Sequence, residues 1–119
     1  MSVRVTYELE LEKLNQDLKE MAHMVENAIE QTFVAFEDHN HEKAEEIIQG
    51  ARTINDMERA VESRCLALIL RQQPVACDLR QVSTALKVVT DLERIGDHAS
   101  DIAELILRIK VEHAYHIVK

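Results

Sequence analysis

The sequence TDLERIGDHASDIAE, residues 90–104, combines helical periodicity with a regular ladder of acidic side chains. Residues three and four apart lie on one side of an α-helix, so this stretch predicts a stripe of carboxylates beside a packing face. The stripe consists of Glu93, Asp97, Asp101 and Glu104, and the packing face of Leu92, Ile95, Ala99, Ile102 and Ile106. Like charges four residues apart weaken a helix by about 0.2–0.5 kcal/mol per pair. Something outside the helix is therefore expected to compensate for them, and a hard cation is one candidate.

The same three-and-four spacing predicts two further long helices before this one. The first extends from about Val5 to Asp38, and its core face carries Leu11, Leu14, Leu18, Met21, Val25, Ala28, Thr32 and Phe36. Asn40 is predicted to cap the second helix. The core face of that helix carries Ile47, Ala51, Ile54, Glu58, Val61, Cys65 and Leu68.

The third helix is predicted to begin near Pro74, because a proline suits the first turn of a helix. Its core face continues through Leu79, Val82, Leu86, Val89 and Glu93, and the helix is expected to extend through Ile109 towards the end. Each connection has only about three or four residues, so consecutive helices must be antiparallel. The fold class is therefore all-α, an elongated antiparallel three-helix bundle, with residues 1–119 forming a single domain.

Composition limits the possible partners. With two glycines and one proline in 119 residues, the chain has little turn chemistry for strands. A net charge of −8 argues against nucleic acid and against an anionic bilayer as direct partners. No apolar run approaches the roughly 20 residues of a membrane span, and the N-terminus lacks signal-peptide character. These features predict a cytoplasmic protein in which Cys65 and Cys77 are free, mostly buried thiols.

Two acids occupy positions where the periodicity calls for an apolar side chain. Glu58 and Glu93 both lie in core-facing slots, and Glu62 and Asp97 follow four residues later. Paired carboxylates from two facing helices form an oxygen-rich pocket that Mg²⁺, Mn²⁺, Zn²⁺ or iron can occupy. The alternative is a solvated acidic face whose members pair with neighbouring bases such as Arg94.

Catalytic alternatives find less support in the sequence. The chain contains one Glu-x-x-His, Glu20 to His23, whereas a ferritin-like di-iron enzyme needs two such motifs. His39 and His41 flank a hinge without an evident third ligand. Cys77 has no identifiable base. The sequence therefore favours binding or regulation over catalysis, with a plain helical dimerisation or scaffold module as the alternative to a metal-binding regulator.

Two sequence blocks resemble a known family. The segment QPVACDLR, residues 73–80, followed by DLERIGDHA, residues 91–99, is similar to the PhoU family of phosphate-signalling regulators, and the stretch from Gly50 to Glu58 is similar as well. The resemblance implies a non-enzymatic cytoplasmic protein. It would couple a phosphate ABC transporter, through its ATPase, to a sensor histidine kinase and repress the phosphate-starvation response. Association with the membrane would occur only through these partners.

The resemblance also implies a metal site. Family members bind iron or zinc, and sometimes other divalent ions, through acid-x-x-x-acid motifs. By position these motifs fall on Glu58 with Glu62 and on Glu93 with Asp97, and Asp101 extends the stripe by one turn. The expected cofactor is thus a divalent or ferric metal ion, iron or zinc in the first place and Mg²⁺ or Mn²⁺ otherwise.

Three departures from the family pattern affect these expectations. The family has two three-helix repeats and this chain has one, so it is either a fragment or a single repeat that forms a homodimer. Ala51 stands where an acid is common, and Cys77 where a base is common. Counting from a turn centred near Gln73 places Glu58 roughly 7 Å short of Glu93 and Ala51 level with the third-helix acids. The acids of the third helix are therefore expected to be the more dependable ligands of any metal site.

Overall fold

Three long α-helices make up the part of the chain that the computed structural model describes, residues 3–72 and 76–109. They are α1 (Val3–Asp38), α2 (His41–Gln72) and α3 (Ala76–Arg108), and each packs against the other two. The molecule measures 66 × 21 × 16 Å and has a radius of gyration of 18.7 Å, against about 13 Å for a compact domain of this size. The prediction of an elongated all-α bundle of three helices is confirmed.

The hinge between α1 and α2 follows from local capping. His39 has a φ of 52°, and the amide of Asn40 donates to the carbonyl of Ala35 at 3.0 Å, which is the Schellman ending of a helix. The side chain of Asn40 accepts from the amide of Lys43 at 3.1 Å and caps α2 as predicted. The chain therefore reverses within two residues, and α2 returns antiparallel to α1.

The core consists of two clusters along the bundle. The larger one fills the half towards the α2–α3 hinge with bulky side chains: Tyr7, Leu14, Met21, Val25, Ile54, Val61, Cys65, Leu68, Val82, Ala85 and Val89. The smaller one lies towards the α1–α2 hinge and is rich in alanine: Ala35, Ala44, Ile47, Ala99, Ala103 and Ile106. Small side chains allow the three helices to approach closely at that end.

Some residues assigned to packing faces lie at the surface instead. Phe36 is exposed, and its neighbour Ala35 is buried in its place within the alanine-rich cluster at that end. Ile95 and Ile102, expected to pack, are exposed on the same side of the bundle, and Leu79 is exposed nearer the other hinge.

Side-chain contacts add to the packing of α1 against α2. Arg64 on α2 donates from Nη1 to Oδ2 of Asp17 at 2.6 Å, and its Nε lies 4.0 Å from a carboxylate oxygen of Glu10. Thr32 is buried but satisfied, because its hydroxyl donates to the carbonyl of Ala28 at 2.7 Å. The Arg64 ion pair therefore links the antiparallel helices α1 and α2, and the hydrogen bond of Thr32 within α1 offsets the cost of burying its hydroxyl group.

The described residues settle several smaller expectations. Cys65 is buried and free, and burial, followed by the charge of Glu62, raises the pKa of its thiol. None of the three described helices is long and apolar enough to cross a bilayer. The expectations on Pro74, on the Cys77 side chain and on a third helix extending beyond Ile109 lie outside the described residues.

Candidate functional site

A close approach of α2 and α3 sets the geometry of the acidic face. Gly96 is buried in the interior of α3, and a Cβ placed on it would lie 3.3 Å from two side-chain carbons of Ile54 on α2. A Cβ at residue 96 would require the Ile54 side chain to shift by a few tenths of an ångström, so glycine allows the close contact as it stands. A glycine within a helix costs about 0.5–1 kcal/mol relative to alanine. A glycine inside a predicted helix, present despite this cost, is the feature of the sequence that could have indicated the contact.

This contact corrects the register expected from the sequence. With Ile54 level with Gly96 in antiparallel helices, Glu58 lies level with residue 92, beside Glu93, and Ala51 lies level with Ala99. The expected gap of roughly 7 Å between Glu58 and Glu93 is therefore wrong. Ala51 moves from the level of Glu93 and Asp97 to a level between Asp97 and Asp101. The register expected from the sequence assumed a turn centred near Gln73, whereas the contact of Ile54 with Gly96 corresponds to a centre two residues later.

Glu93 is the most perturbed acid of the face. A hydrogen bond with Asp97, partial burial and the negative charges of Asp97 and Glu58 raise the pKa of Glu93 to about 7. A protonated Glu93 donates to the Asp97 carboxylate and so satisfies both groups. At a pH near 7 the Glu93 carboxyl group is therefore about half protonated, because this pH is close to its pKa.

Glu58 belongs to the same electrostatic cluster from the side of α2. Partial burial, then the charges of Glu62 and Asp97, raise the pKa of Glu58. Three of the five sequence-predicted acids, Glu58, Glu93 and Asp97, are thus half-buried and close enough to interact. Glu62 is exposed one turn from Glu58, and Asp101 is exposed one turn beyond Asp97.

Positively charged side chains do little to compensate these acids. Within residues 3–72 and 76–109 no Lys or Arg forms an ion pair with Glu58, Glu93 or Asp97, and the ion pairs present lie elsewhere on the bundle. Arg59 and Arg94 lower the pKa of Glu58 and Glu93 only as the last of several influences. The alternative of an acidic face paired with neighbouring bases therefore finds little support in the geometry.

Asn55 adds an oxygen that the sequence had not suggested as a site group. Three residues before Glu58, it lies on the same side of α2. Its Oδ1 atom is buried and has no hydrogen-bond partner. A buried, unpaired acceptor costs about 1–3 kcal/mol, and a cation or a donor would relieve that cost.

The oxygen-bearing side chains of this face suit a hard or borderline cation by their chemistry, but too few of them lie together to hold one. Carboxylate and amide oxygens are ligands for iron, Zn²⁺, Mg²⁺ and Mn²⁺. Among the residues described, however, no three His, Cys, Asp or Glu side chains are arranged to hold an ion. One copy of this chain therefore presents a partial oxygen site.

The other sequence candidates stay apart from this face. Glu20 and His23 are exposed on α1, and His39 and His41 are exposed at the first hinge. The geometry does not bring any of the four to the carboxylates of α2 and α3.

Fold and acidic face together define a class: an elongated all-helical domain with carboxylates on the seam between its second and third helices. The PhoU domain matches residues 18–106 of the chain. The chain belongs to the PhoU family.

The names of similar proteins agree with this family assignment. A Phosphate-specific transport system accessory protein PhoU homolog of Clostridium acetobutylicum is 44% identical over 117 residues, which cover 98% of this chain and 53% of the relative. The homolog of Aquifex aeolicus is 41% identical over 103 residues, 87% of this chain and 47% of its own length. PhoU of Escherichia coli is 34% identical over 101 residues, 85% of this chain and 42% of its own length. The chain thus spans about half the length of the curated relatives it matches.

Proposed function

We propose that this domain is a phosphate-signalling regulator that couples a phosphate ABC transporter to a sensor histidine kinase and represses the phosphate-starvation response. It acts in the cytoplasm by docking to the transporter ATPase and to the kinase, without catalysing a reaction. Contact with the membrane comes only through these partners, and nucleic acid is not among them. The domain functions as a homodimer.

The match of the PhoU domain to residues 18–106 is the observation that carries this proposal. The names of the relatives, which describe accessory proteins of phosphate-specific transport, support the link to the transporter. The rigid, elongated bundle supports a docking role, because three long helices present extended surfaces to partners.

A transcription assay tests the regulatory role. A strain lacking the protein should express a phosphate-starvation reporter when phosphate is abundant, and the restored gene should return the reporter to its repressed level. The same reporter level with and without the gene would refute the proposal. Western blotting of the restored strain controls for the presence of the protein.

The proposed ligand of the acidic face is a divalent or ferric metal ion, with iron or zinc preferred to Mg²⁺ or Mn²⁺. Glu58, Glu62, Glu93, Asp97 and Asp101 would supply oxygen ligands from this chain. A bound cation would neutralise the acidic cluster and bridge α2 and α3 near Gly96. Mutual repulsion of the acids and the unpaired Asn55 oxygen support this proposal.

Metal analysis of protein purified without a histidine tag tests the site. The double variant Glu93→Ala with Asp97→Ala should lose the bound metal, whereas Asp91→Ala, an exposed acid of the same helix, should retain it. Equal metal content in both variants would show that the ion binds elsewhere.

A helical dimerisation module without a metal role is the second candidate, and the absence of a three-ligand group among the described residues favours it. The two candidates differ in their response to a chelator. An ion that binds only the folded state stabilises it by mass action, so EDTA should lower the melting temperature of a metal-binding protein. An unchanged melting temperature supports the plain module.

A further inference from the structure

An apolar groove lies between α1 and α3 at the end of the bundle nearest the α1–α2 hinge. It encloses about 240 Å³, and its lining is almost entirely apolar. The lining residues are Ile29, Thr32, Phe33, Phe36, Ile95, His98, Ala99 and Ile102. This groove is on a different face from the acids, because Ile95 and Ile102 follow another stripe of α3 than Glu93 and Asp97.

The groove is part of a large exposed apolar surface. Phe33 is 69% exposed and Phe36 56%, and Ile29, Ile95, Ile102 and Leu105 are exposed beside them. With roughly 150–250 Å² for each fully exposed large side chain, this face presents roughly 500 Å² of apolar surface. A patch of that size is within the range of the largest apolar patch on a typical monomer, and such patches are often functional.

The area suits a second copy of the chain. Two such faces in contact would bury roughly 1,000 Å² from apolar side chains alone, which reaches the threshold of a specific interface. The face offers a ridge, Phe33 and Phe36, beside the groove that those rings help to line. A two-fold axis would place the ridge of each copy in the groove of the other.

Charges along the edge predict how such a contact responds to salt. Glu30 precedes Phe33 by three residues and Glu37 follows it by four, so both exposed acids lie beside the phenyl ring on α1. Glu26 continues the same stripe one turn earlier. In a symmetric pair these acids of the two copies approach one another. Salt should therefore strengthen the association by screening their repulsion.

We propose that the face formed by Ile29, Phe33, Phe36, Ile95, Ile102 and Leu105 is the surface through which two copies of this chain associate. This inference deepens the homodimer included in the proposed function and rests on it. The contact is apolar at its centre and acidic along its α1 edge. It leaves the carboxylates of α2 and α3 on a separate face.

Sedimentation equilibrium in the presence of EDTA tests the surface without contributions from metal bridging. The double variant Phe33→Ser with Phe36→Ser should raise the dimer dissociation constant by at least about tenfold. The matched control is Leu66→Ser with Leu70→Ser on α2, whose side chains are equally exposed at 57% and 69%. That control should leave the dissociation constant unchanged. Far-ultraviolet circular dichroism should show the same helix content in all three proteins.

The dimer dissociation constant, measured at several salt concentrations, distinguishes a second copy of the chain from other partners that could occupy the groove. For the wild type, the dissociation constant should fall about threefold or more between about 50 mM and about 500 mM NaCl. A wild-type protein that stays monomeric at both salt concentrations overturns the proposal, and so does a dimer that weakens with salt. A dimer equally stable in the phenylalanine variant and in the control would place self-association on another surface. None of these results bears on phosphate-responsive transcription, so failure of this inference is distinct from failure of the regulatory role.

Discussion

Replacing Glu93 by glutamine should make the bundle more stable at alkaline pH and leave its stability almost unchanged in acid. The glutamine amide can donate to the Asp97 carboxylate as the protonated acid does, but it needs no proton. Raising the pKa of Glu93 from 4.5 to about 7 corresponds to about 3.4 kcal/mol if realised in full. Because Glu93 is partly exposed, solvent screening should reduce the effect to about 1 kcal/mol.

The sign follows from proton linkage. Below the unfolded pKa of Glu93, the carboxyl group is protonated in both states and folding carries no penalty. Between that value and a pH of about 7, the unfolded chain loses the proton while the folded chain retains it, so the free energy of unfolding falls as pH rises. Above that range the wild type carries the full penalty. Glu93→Gln removes this titration entirely.

Urea denaturation monitored by circular dichroism measures the effect, with EDTA present because a bound cation would itself relieve the repulsion. The variant should exceed the wild type by about 1 kcal/mol at about pH 8 and match it near pH 4.5. Asp91→Asn, an exposed acid on the same helix, controls for the general loss of one negative charge. A difference between Glu93→Gln and wild type that is the same at both pH values, or no larger than that of the control, would refute the reasoning.

Four further substitutions test the packing by urea denaturation. Gly50→Ala should stabilise the bundle by about 0.5–1 kcal/mol, since no atom lies within 4 Å of the added Cβ, whereas Gly96→Leu should destabilise it by about 1–3 kcal/mol because the side chain collides with Ile54. A stabilising leucine would disprove the close approach. His39→Gly should add about 1 kcal/mol, because His39 holds a φ of 52° that glycine adopts without strain, and an unchanged stability would contradict that cost. Arg64→Ala should cost about 1 kcal/mol at low salt and less at high salt, and a salt-independent loss would point to packing instead of the ion pair.

Much of the secondary structure could be predicted because its determinants are local. Three-and-four spacing of apolar residues indicated all three helices, and the end of α1 at Asp38 and the cap at Asn40 agree with the prediction. Capping involves only the few residues around a helix end, so sequence contains the information it needs. Short connections then allowed only an antiparallel arrangement.

The candidate site could be predicted only in part. The acids Glu58, Glu93 and Asp97 were selected correctly as neighbours, since an acid in an apolar slot is visible in the sequence. Their register across the two helices depends on the centre of the α2–α3 hinge, and an error of two residues there displaced the expected pairing. Asn55 was missed as a site group because an isolated asparagine carries no periodic signal.

The sequence by itself determined that this chain forms three antiparallel helices and carries an acidic stripe, because helix periodicity and capping act within a few residues. Tertiary structure decided which of the candidate core residues are buried and how the acids of α2 and α3 are aligned. Periodicity left Phe36 in a core position, whereas the folded bundle buries its neighbour Ala35 and leaves the phenyl ring exposed. Likewise, the contact of Gly96 with Ile54 sets how far α3 slides along α2, and thereby brings Glu58 beside Glu93. Such choices depend on volumes contributed by distant segments, and these meet only in the folded bundle.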